Sequence, residues 1–398
     1  MKKEVLPNHL TVLYEARKSN AVVVEVMVKT GSNHELPHER GISHFLEHIL
    51  FEGTARRPSN WHIAREIERI GGEFNAYTTN ERTCFHVKVL KKHFPVAVEV
   101  LADILQNPLF RKEDLEKEKK VVLKEMEMVQ DEPRFYQWIL LQKNLFQKHP
   151  ARFPTYGSRE HIRKLTPERV RAYFQKHYVP NNMVVSVVGN VPSWRSQIHK
   201  AFTGVSCPVQ KPELPQEMRA EKSREIREKK KIANSYLVMG FPTVPKKNRD
   251  AYPLEVLNTI WGQGQSGRMF TRIRSKLGLA YDVGTQHVAE VSFGYFSVYA
   301  CVDQKNIQKV RKVIQEELCK PITVQEVKDA QRAIEGEYYL EIDDEQKLAD
   351  QLLFWEQAQD ARELKHFVQR IKEVKLQDIQ RVIRTYFQYP VTVILEGG

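Results

Sequence analysis

Short runs rich in apolar and β-branched residues alternate with longer segments whose apolar residues recur at helical spacing. In the first half of the chain they predict strands at 9–14, 22–29, 75–79, 83–90 and 183–188, and helices at 63–70 and 95–106. The second half repeats this order, with predicted strands at 235–241, 281–287, 294–302 and 391–395 and helices at 269–276 and 306–318. Paired strands with helices between them favour antiparallel sheets with helices packed on one face.

Sequence features that recur in both halves, at a spacing of roughly 210 residues, suggest a tandem duplication. In each half a helix leads through glycine, at Gly71 and at Gly278, into paired strands, and a Tyr-Phe pair with a proline precedes the last strand. We therefore predict an α+β fold of two homologous domains, at 1–205 and 223–398. The proline-rich and charge-rich stretch from Val191 to about Lys222 predicts their connection, with the linker at 206–222.

Composition and charge argue against several classes of protein. A chain of 398 residues with 41% hydrophobic residues has enough apolar surface for two buried cores, which excludes global disorder. Its net charge of +12 comes from basic residues mixed with acidic ones, as at 217–231, so a solvated surface is favoured over a nucleic-acid-binding protein. The dispersed cysteines form no CxxC pair, and no apolar run is long enough to span a bilayer. We expect a cytoplasmic protein without a signal peptide, a membrane span or a nucleic-acid partner.

The segment 41–53, GISHFLEHILFEG, predicts a helix with one apolar and one chemically active face. At 100° per residue its apolar stripe consists of Ile42, Phe45, Leu46, Ile49 and Leu50. His44, Glu47, His48 and Phe51 lie opposite that stripe. An exposed Phe among two imidazoles and a carboxylate indicates that this face lines a cleft.

The pattern HxxEH suits zinc chemistry. Residues four apart are neighbours on a helix, so His44 and His48 can hold one metal ion, and Glu47 can reach a water on it without being a ligand. Zinc accepts neutral imidazole, needs a third protein ligand and keeps a fourth position open for water. The alternative is a surface histidine pair with no metal, and the motif alone does not decide between them.

A third ligand must come from another element. The segment 111–129 predicts a long helix whose apolar stripe is Leu115, Val122, Met126 and Val129. Glu118 and Glu125 are seven residues apart and share one face beside this stripe. A carboxylate at the edge of a core is costly unless it is paired or bound to metal. The alternative is that both are ordinary boundary glutamates of a Glu/Lys-rich helix.

The chain resembles the pitrilysin, insulysin and mitochondrial processing peptidase family of inverted-motif zinc peptidases over nearly its whole length. The resemblance is carried by five segments: GISHFLEHILFEGT (41–54), GGEFNAYTTNERT (71–83), EKEKKVVLKEMEMVQDEP (116–133), HYVPNNMVVSVVGNV (177–191) and GRMFTRIRSKLGLAYDV (267–283). Glu125 follows His48 at the family's spacing, and Glu118 matches a second family glutamate that supports the zinc site.

The resemblance implies one Zn²⁺ per chain with His44, His48 and Glu125 as ligands and Glu47 as general base. Asn75 and Ala76 match the family's substrate-binding edge strand, which pairs with an extended peptide. From the residues alone, Asn75 is better explained as a turn residue after the glycine pair. Strand addition suits a peptidase because backbone hydrogen bonds accept any peptide sequence.

The second half has no HxxEH motif but carries Arg274 and Tyr281, which match the family pair that binds substrate and steadies the oxyanion. From the residues alone, both could instead pack in a core. Gly267 stands where the family usually has Ser.

The resemblance implies a zinc endopeptidase acting on extended peptides in a dimeric chamber. One chain carrying both residue sets favours a homodimer, and a heterodimer with a degenerate homologue is the alternative. A second alternative is a non-catalytic scaffold subunit.

Overall fold

A six-stranded sheet and a five-stranded sheet organise the chain in the computed structural model, which describes residues 1–217 and 221–398. The strands of the first sheet are β1 Lys2–Val5, β2 Thr11–Glu15, β3 Ala21–Val28, β4 Glu73–Thr78, β5 Thr83–Leu90 and β6 Met183–Gly189, in the order β1-β2-β6-β3-β5-β4. Those of the second are β7 Arg224–Lys230, β8 Ser235–Pro242, β9 Asp282–Ala289, β10 Gly294–Val302 and β11 Val391–Gly397, in the order β7-β11-β8-β10-β9.

Helices connect the strands in a similar order in both halves. In the described residues they are α1 Ile42–Leu50, α2 Asn60–Glu68, α3 Phe94–Gln106, α4 Lys112–Asp131, α5 Pro133–Leu145, α6 Arg159–Arg163, α7 Pro167–His177, α8 Trp194–Ala201, α9 Ala251–Gly262, α10 Ile307–Cys319, α11 Val324–Asp343, α12 Glu345–Ala358, α13 Phe367–Glu373 and α14 Leu376–Tyr386. A π-helical segment spans Phe270–Lys276.

The two sheets share one topology, which confirms the predicted α+β fold of two homologous domains. Apart from the additional β1, the strands follow each other in the same spatial order. Neighbouring strands are antiparallel except for one parallel pair in each sheet, β2 with β6 and β7 with β11. The long helices also match, since α3 and α10 have 13 residues each and α4 and α11 have 20 each.

Each sheet belongs to a compact unit that includes a segment from the other half of the sequence. The first unit consists of Met1–Met126, Pro154–Glu213 and Leu340–Leu364, and the second of Glu127–Phe153, Leu214–Tyr339 and Lys365–Gly398. Helix α12 is therefore part of the first unit and α5 part of the second. The units differ in this respect from the continuous segments 1–205 and 223–398 that the sequence predicts.

Helices cover both faces of the first sheet, in addition to the predicted packing on one face. On one face Phe51, which follows α1, packs with Phe74 and Phe85 at ring distances of 5.5 and 5.9 Å. On the other face α12 contacts β3 and β6. Strands β3 and β6 lie inside the sheet, which explains why their sequences, AVVVEVMV and MVVSVVG, are almost entirely buried.

In the second unit, α5 packs on strands β8 and β11. Leu141 fits this close approach because residue 240 is glycine: a Cβ there would lie 2.5 Å from a Leu141 methyl carbon. The charged run that we assigned to a solvated surface includes β7, an edge strand whose residues alternate between half-buried and exposed. Charged side chains on an edge strand discourage pairing with other chains. Residues 218–220 of the predicted linker lie outside the described residues.

Helix α8 lies inside the stretch after Val191 that the sequence assigned to the connection. None of the helices in the described residues is both long and apolar enough to cross a bilayer.

Candidate metal centre

The helix that carries the HxxEH motif begins where the backbone requires glycine. Gly41 has φ of 96°, in the left-handed region, and a Cβ at this position would lie 2.4 Å from the carbonyl oxygen of Tyr156. The close approach of this loop fixes the start of α1. It thereby fixes which residues of the helix point to the sheet and which point away from it.

A buried carboxylate also holds the start of α1. Glu35 accepts hydrogen bonds from the backbone N–H groups of Gly41 and Ser43, both at 2.8 Å. These groups have no partner inside the helix, and a negative charge is stabilised at a helix N-terminus. Burial nevertheless raises the pKa of Glu35 to about 7, against the opposing effect of these hydrogen bonds. Glu35 could not be found from the sequence, because no periodicity or capping pattern relates it to the helix.

The predicted apolar stripe of α1 is buried, and the opposite face differs from the prediction in one residue. Ile42, Phe45 and Leu46 are at most 2% exposed. Phe51 follows the last helical residue and packs with the rings of Phe74 and Phe85, so it is half-buried rather than exposed. The expected exposure of Phe51 is therefore wrong, because its ring packs with Phe74 and Phe85.

The structure brings His44, His48 and Glu125 together. The Nε2 atom of His44 lies 3.6 Å from one carboxylate oxygen of Glu125, and Nε2 of His48 lies 3.6 Å from the other. The three donor atoms all lie within 4.8 Å of one another. Two imidazole nitrogens and a carboxylate oxygen that converge in this way match the three protein ligands of a catalytic zinc site.

Glu118 lies behind His48. Its Oε2 atom is 3.3 Å from Nδ1 of His48, the nitrogen that points away from Glu125. A proton on Nδ1 donated to this carboxylate leaves Nε2 with a free lone pair directed at the metal position. Glu118 is only 6% exposed, so it is a poor candidate for an ordinary surface glutamate.

The charges around these residues favour a cation. Burial acts to lower the pKa of His48, but hydrogen bonds to Glu118 and Glu125 and the charge of Glu47 outweigh it and raise this pKa to about 10. Hydrogen bonds from His44 and His48 hold the pKa of Glu125 well below its usual range. The carboxylates thus stabilise a positive charge at this position, which a proton supplies on His48 and which a divalent metal can supply instead.

Glu47 is oriented by a residue of the edge strand. The hydroxyl of Thr78, at the end of β4, donates a hydrogen bond of 2.5 Å to Oε2 of Glu47. Glu47 is half-buried and is not one of the three converging donors. Thr78 was also missed from the sequence, since no local pattern joins it to a helix thirty residues earlier.

The chain matches two known family profiles and several known proteins. Residues 11–159 match the family profile "Insulinase (Peptidase family M16)", and residues 164–334 match "Peptidase M16 inactive domain". The chain is 32% identical to the uncharacterized zinc protease YmxG of Bacillus subtilis, over 85% of this chain and 82% of that one. It is 34% identical to an uncharacterized zinc protease of Rickettsia felis, over 79% and 76% of the two chains.

The chain belongs to the insulinase family, M16. Solved structures with the same fold include a protease from Helicobacter pylori, with a TM-score of 0.93 and 20% identity over 99% of both chains. A Pseudomonas fluorescens structure described as a peptidase M16 inactive domain has a TM-score of 0.91 and 18% identity, over 100% of this chain and 98% of that one. The predicted relationship to the pitrilysin and insulysin peptidases is thereby confirmed.

Two further residues with a family match lie on the edge strand. Asn75 and Ala76 are in β4, which is the last strand of the first sheet. The Oδ1 atom of Asn75 accepts a hydrogen bond from the backbone N–H of Ala76. Asn75 is therefore a strand residue, in agreement with the strand predicted at 75–79 and not with the alternative of a turn after Gly71. Among residues 1–217 and 221–398, no strand pairs with the outer edge of β4.

Arg274 and Tyr281 lie in the second unit. Arg274 is in the π-helical segment, with its guanidinium 5.0 Å from the centre of the Phe270 ring. Tyr281 precedes β9 and is 59% exposed, with its hydroxyl 3.4 Å from Oδ1 of Asp303. An exposed tyrosine is available to a ligand, so packing in a core does not account for this residue.

Proposed function

We propose that this insulinase-family protein is a zinc endopeptidase that hydrolyses peptides or unfolded segments. The observation that carries the proposal is the convergence of His44, His48 and Glu125 within 4.8 Å, with the charge of Glu47 acting on His48. Its relatives are named zinc proteases, which supports the same chemistry here. Nothing in the first unit would explain two histidines and three glutamates on facing helices as well as a metal centre does.

The donor set fits zinc. The Nε2 atoms of the two histidines and the Glu125 carboxylate would hold the ion, and Glu118 would keep His48 in the required orientation. When bound, zinc acts as a Lewis acid that lowers the pKa of a coordinated water to about 7. We assign one such zinc to each chain at this centre.

Glu47 is the proposed general base. Its carboxylate accepts the proton of the attacking water, and the same carboxylate then donates that proton to the leaving amine. The hydrogen bond from Thr78 fixes the orientation of this carboxylate, so one oxygen of Glu47 remains directed toward the reacting atoms. Thr78 also couples the base to the strand that we propose for the substrate.

We assign the substrate to the outer edge of β4, where an extended peptide would add as a further strand past Asn75 and Ala76. Arg274 and Tyr281 are the proposed donors to the substrate carbonyl. The proposed assembly is a homodimer that encloses the substrate, with a heterodimer as the alternative. The proposed location is the cytoplasm, since the cysteines are free thiols, which a reducing compartment preserves.

The test is cleavage of a quenched fluorescent peptide by the wild type and Glu47→Gln, with zinc content measured on the same samples. Glu68→Gln, on the exposed side of α2, is the matched control. We expect equal zinc in all three proteins and activity in the wild type and the control only. Zinc without cleavage of a broad peptide library by the wild type would favour a scaffold subunit. A wild type that contains no zinc would contradict the proposal.

A further inference from the structure

A second group of metal-binding side chains lies in the first unit, on the sheet face opposite α1. Glu25 of β3, Cys84 of β5 and Asp350 of α12 each offer one donor atom, and these three atoms lie within 4.8 Å of one another. The donor atoms are thus as close together as those of His44, His48 and Glu125 at the metal centre. The donors differ, however, since this group combines a thiol with two carboxylates.

Strand register explains why these residues meet. Glu25 pairs with His86 and Met27 pairs with Cys84 across β3 and β5, so the side chains of Glu25, Cys84 and His86 point to one face. Helix α12 covers that face, and its Gln346 donates a hydrogen bond of 2.9 Å to Oε2 of Glu25. Glu25 and Cys84 are both fully buried, at 0% exposure.

Several polar atoms on this face lack partners. Within the described residues, Oε1 of Glu25 and the hydroxyl of Ser186, which pairs with Glu25 across β3 and β6, are buried without a hydrogen bond. The Nδ1 atom of His86 is also buried without a hydrogen bond. Buried polar atoms without partners cost free energy, and a bound water or ion is one way in which native structures satisfy them.

The charges of Glu25 and Asp350 favour a bound cation. Burial and the neighbouring charge of Asp350 raise the pKa of Glu25, while the charge of Arg82 opposes that rise. The guanidinium of Arg82 lies over the ring of Phe354, 4.9 Å from its centre. The carboxylates of Glu25 and Asp350 disfavour each other's negative charge, and a divalent cation bound between them would relieve that repulsion.

We propose that Glu25, Cys84 and Asp350 form a second, structural Zn²⁺ site, with His86 on the same face as a candidate fourth ligand. A thiolate beside carboxylates selects zinc over magnesium and calcium, which prefer oxygen ligands alone. Tyr77 of β4 donates a hydrogen bond to Asp350 and would orient that ligand. The ion would fasten α12 to the sheet, next to the strand that carries Thr78.

The proposal concerns a site separate from the metal centre and does not rest on the proposed activity. The test uses the full-length His44→Ala/His48→Ala protein, in which the metal centre has lost two ligands, loaded with Co²⁺. Cobalt bound to a thiolate gives a near-ultraviolet charge-transfer band that histidine and carboxylate ligands do not give. Cys84→Ser in this background removes the proposed thiolate, and Cys207→Ser/Cys319→Ser removes two exposed thiols as the matched control.

We expect the band in the double-histidine variant and in the cysteine control, and its complete loss with Cys84→Ser. Asp350→Asn, which keeps the shape of the side chain, should weaken cobalt binding at least about tenfold even if Cys84→Ser folds poorly. Zinc content should be about two per chain in the wild type and about one in the double-histidine variant. No band, a band that survives Cys84→Ser, or one zinc in the wild type and none in the double-histidine variant would overturn the second site.

Discussion

The two units share a topology but differ on the helix that packs beside the edge strand. In the first unit, α1 presents His44, Glu47 and His48 from a helix of nine residues. In the second unit, the corresponding helix α9 has the sequence AYPLEVLNTIWG and contains no histidine. The shared fold alone therefore does not supply the candidate metal ligands, and the side chains of one helix decide which unit carries the two histidines.

The long helices α4 and α11 show the same difference. Counted from the first residue of each helix, Glu118 corresponds to Ala330 and Glu125 corresponds to Glu337. The second unit thus keeps one of the two carboxylates and has lost the one that orients a histidine. This agrees with the match of residues 164–334 to an inactive M16 domain.

A histidine and a carboxylate do meet in the second unit, but in a different role. Nδ1 of His287, on β9, lies 2.8 Å from Oε2 of Glu255 on α9, and the imidazole side chain is 1% exposed. One buried imidazole paired with one carboxylate links the helix to the edge strand. It offers too few ligands for a catalytic zinc site, which needs three from the protein.

The largest expected effect comes from the two glutamates at matched helix positions. Glu125→Ala removes a proposed ligand and should abolish peptide cleavage and zinc binding at the metal centre. Glu337→Ala, its counterpart in the second unit, should leave zinc binding unchanged. Zinc titration of both variants measures this difference. Equal zinc affinities would break the comparison, because the two units would then not differ in metal binding.

A second prediction concerns Glu35, which holds the start of α1. Its pKa is raised from the usual 4.5 to about 7, so the folded state keeps a proton that the unfolded chain has released. Stability should therefore fall as pH rises from about 4.5 to 7, by roughly 3 kcal/mol, and then level off.

Urea unfolding between pH 4.5 and 8 measures this effect. The free energy of unfolding of the wild type, minus that of Glu35→Gln, should decrease through this pH window, because Gln does not titrate. The exposed Glu68→Gln control should give a flat difference. A flat difference for Glu35→Gln as well would show that Glu35 does not carry the shift.

Glu118→Gln should have a smaller effect on the metal centre than loss of a ligand. The amide keeps the size of the side chain but loses the charge that supports His48, so zinc affinity should fall about 10- to 100-fold. Glu116→Gln, on the exposed side of α4, is the control and should bind zinc as the wild type does. Unchanged affinity in Glu118→Gln would show that the 3.3 Å contact with His48 contributes nothing to metal binding.

The smallest predicted effect is at Thr78. Thr78→Val removes the hydroxyl that orients Glu47 and should lower kcat about tenfold, with little change in zinc content. Thr78→Ser retains the hydroxyl and should restore most of the rate. If the serine variant is as slow as the valine variant, the effect comes from packing on β4 rather than from the hydrogen bond.

Sequence periodicity predicted most of the fold because the segments concerned have strong local patterns. The strands at 83–90 and 294–302 were predicted with their observed bounds, and the helix predicted at 111–129 is Lys112–Asp131 in the structure. The exchange of α5 and α12 between the units could not be predicted. An amphipathic helix shows only that one face is buried, and nothing in its own sequence states which sheet buries it.

The candidate metal centre could likewise be predicted only in part from the sequence. His44, Glu47 and His48 could be found because their spacing on a helix is itself the signal. Glu125 needed the family resemblance, since the helix pattern equally allowed a boundary glutamate. Thr78 and Glu35 reach α1 only through the folding of the chain, and no periodicity in the sequence relates them to the helix.

The most direct test of the account is a crystal structure of the zinc-loaded Glu47→Gln protein, with anomalous diffraction measured at the zinc absorption edge. The account predicts an anomalous peak bounded by the Nε2 atoms of His44 and His48 and the carboxylate of Glu125, and no peak between Glu255 and His287 in the second unit. A zinc-loaded crystal without a peak at His44, His48 and Glu125 would contradict the assignment of the metal centre.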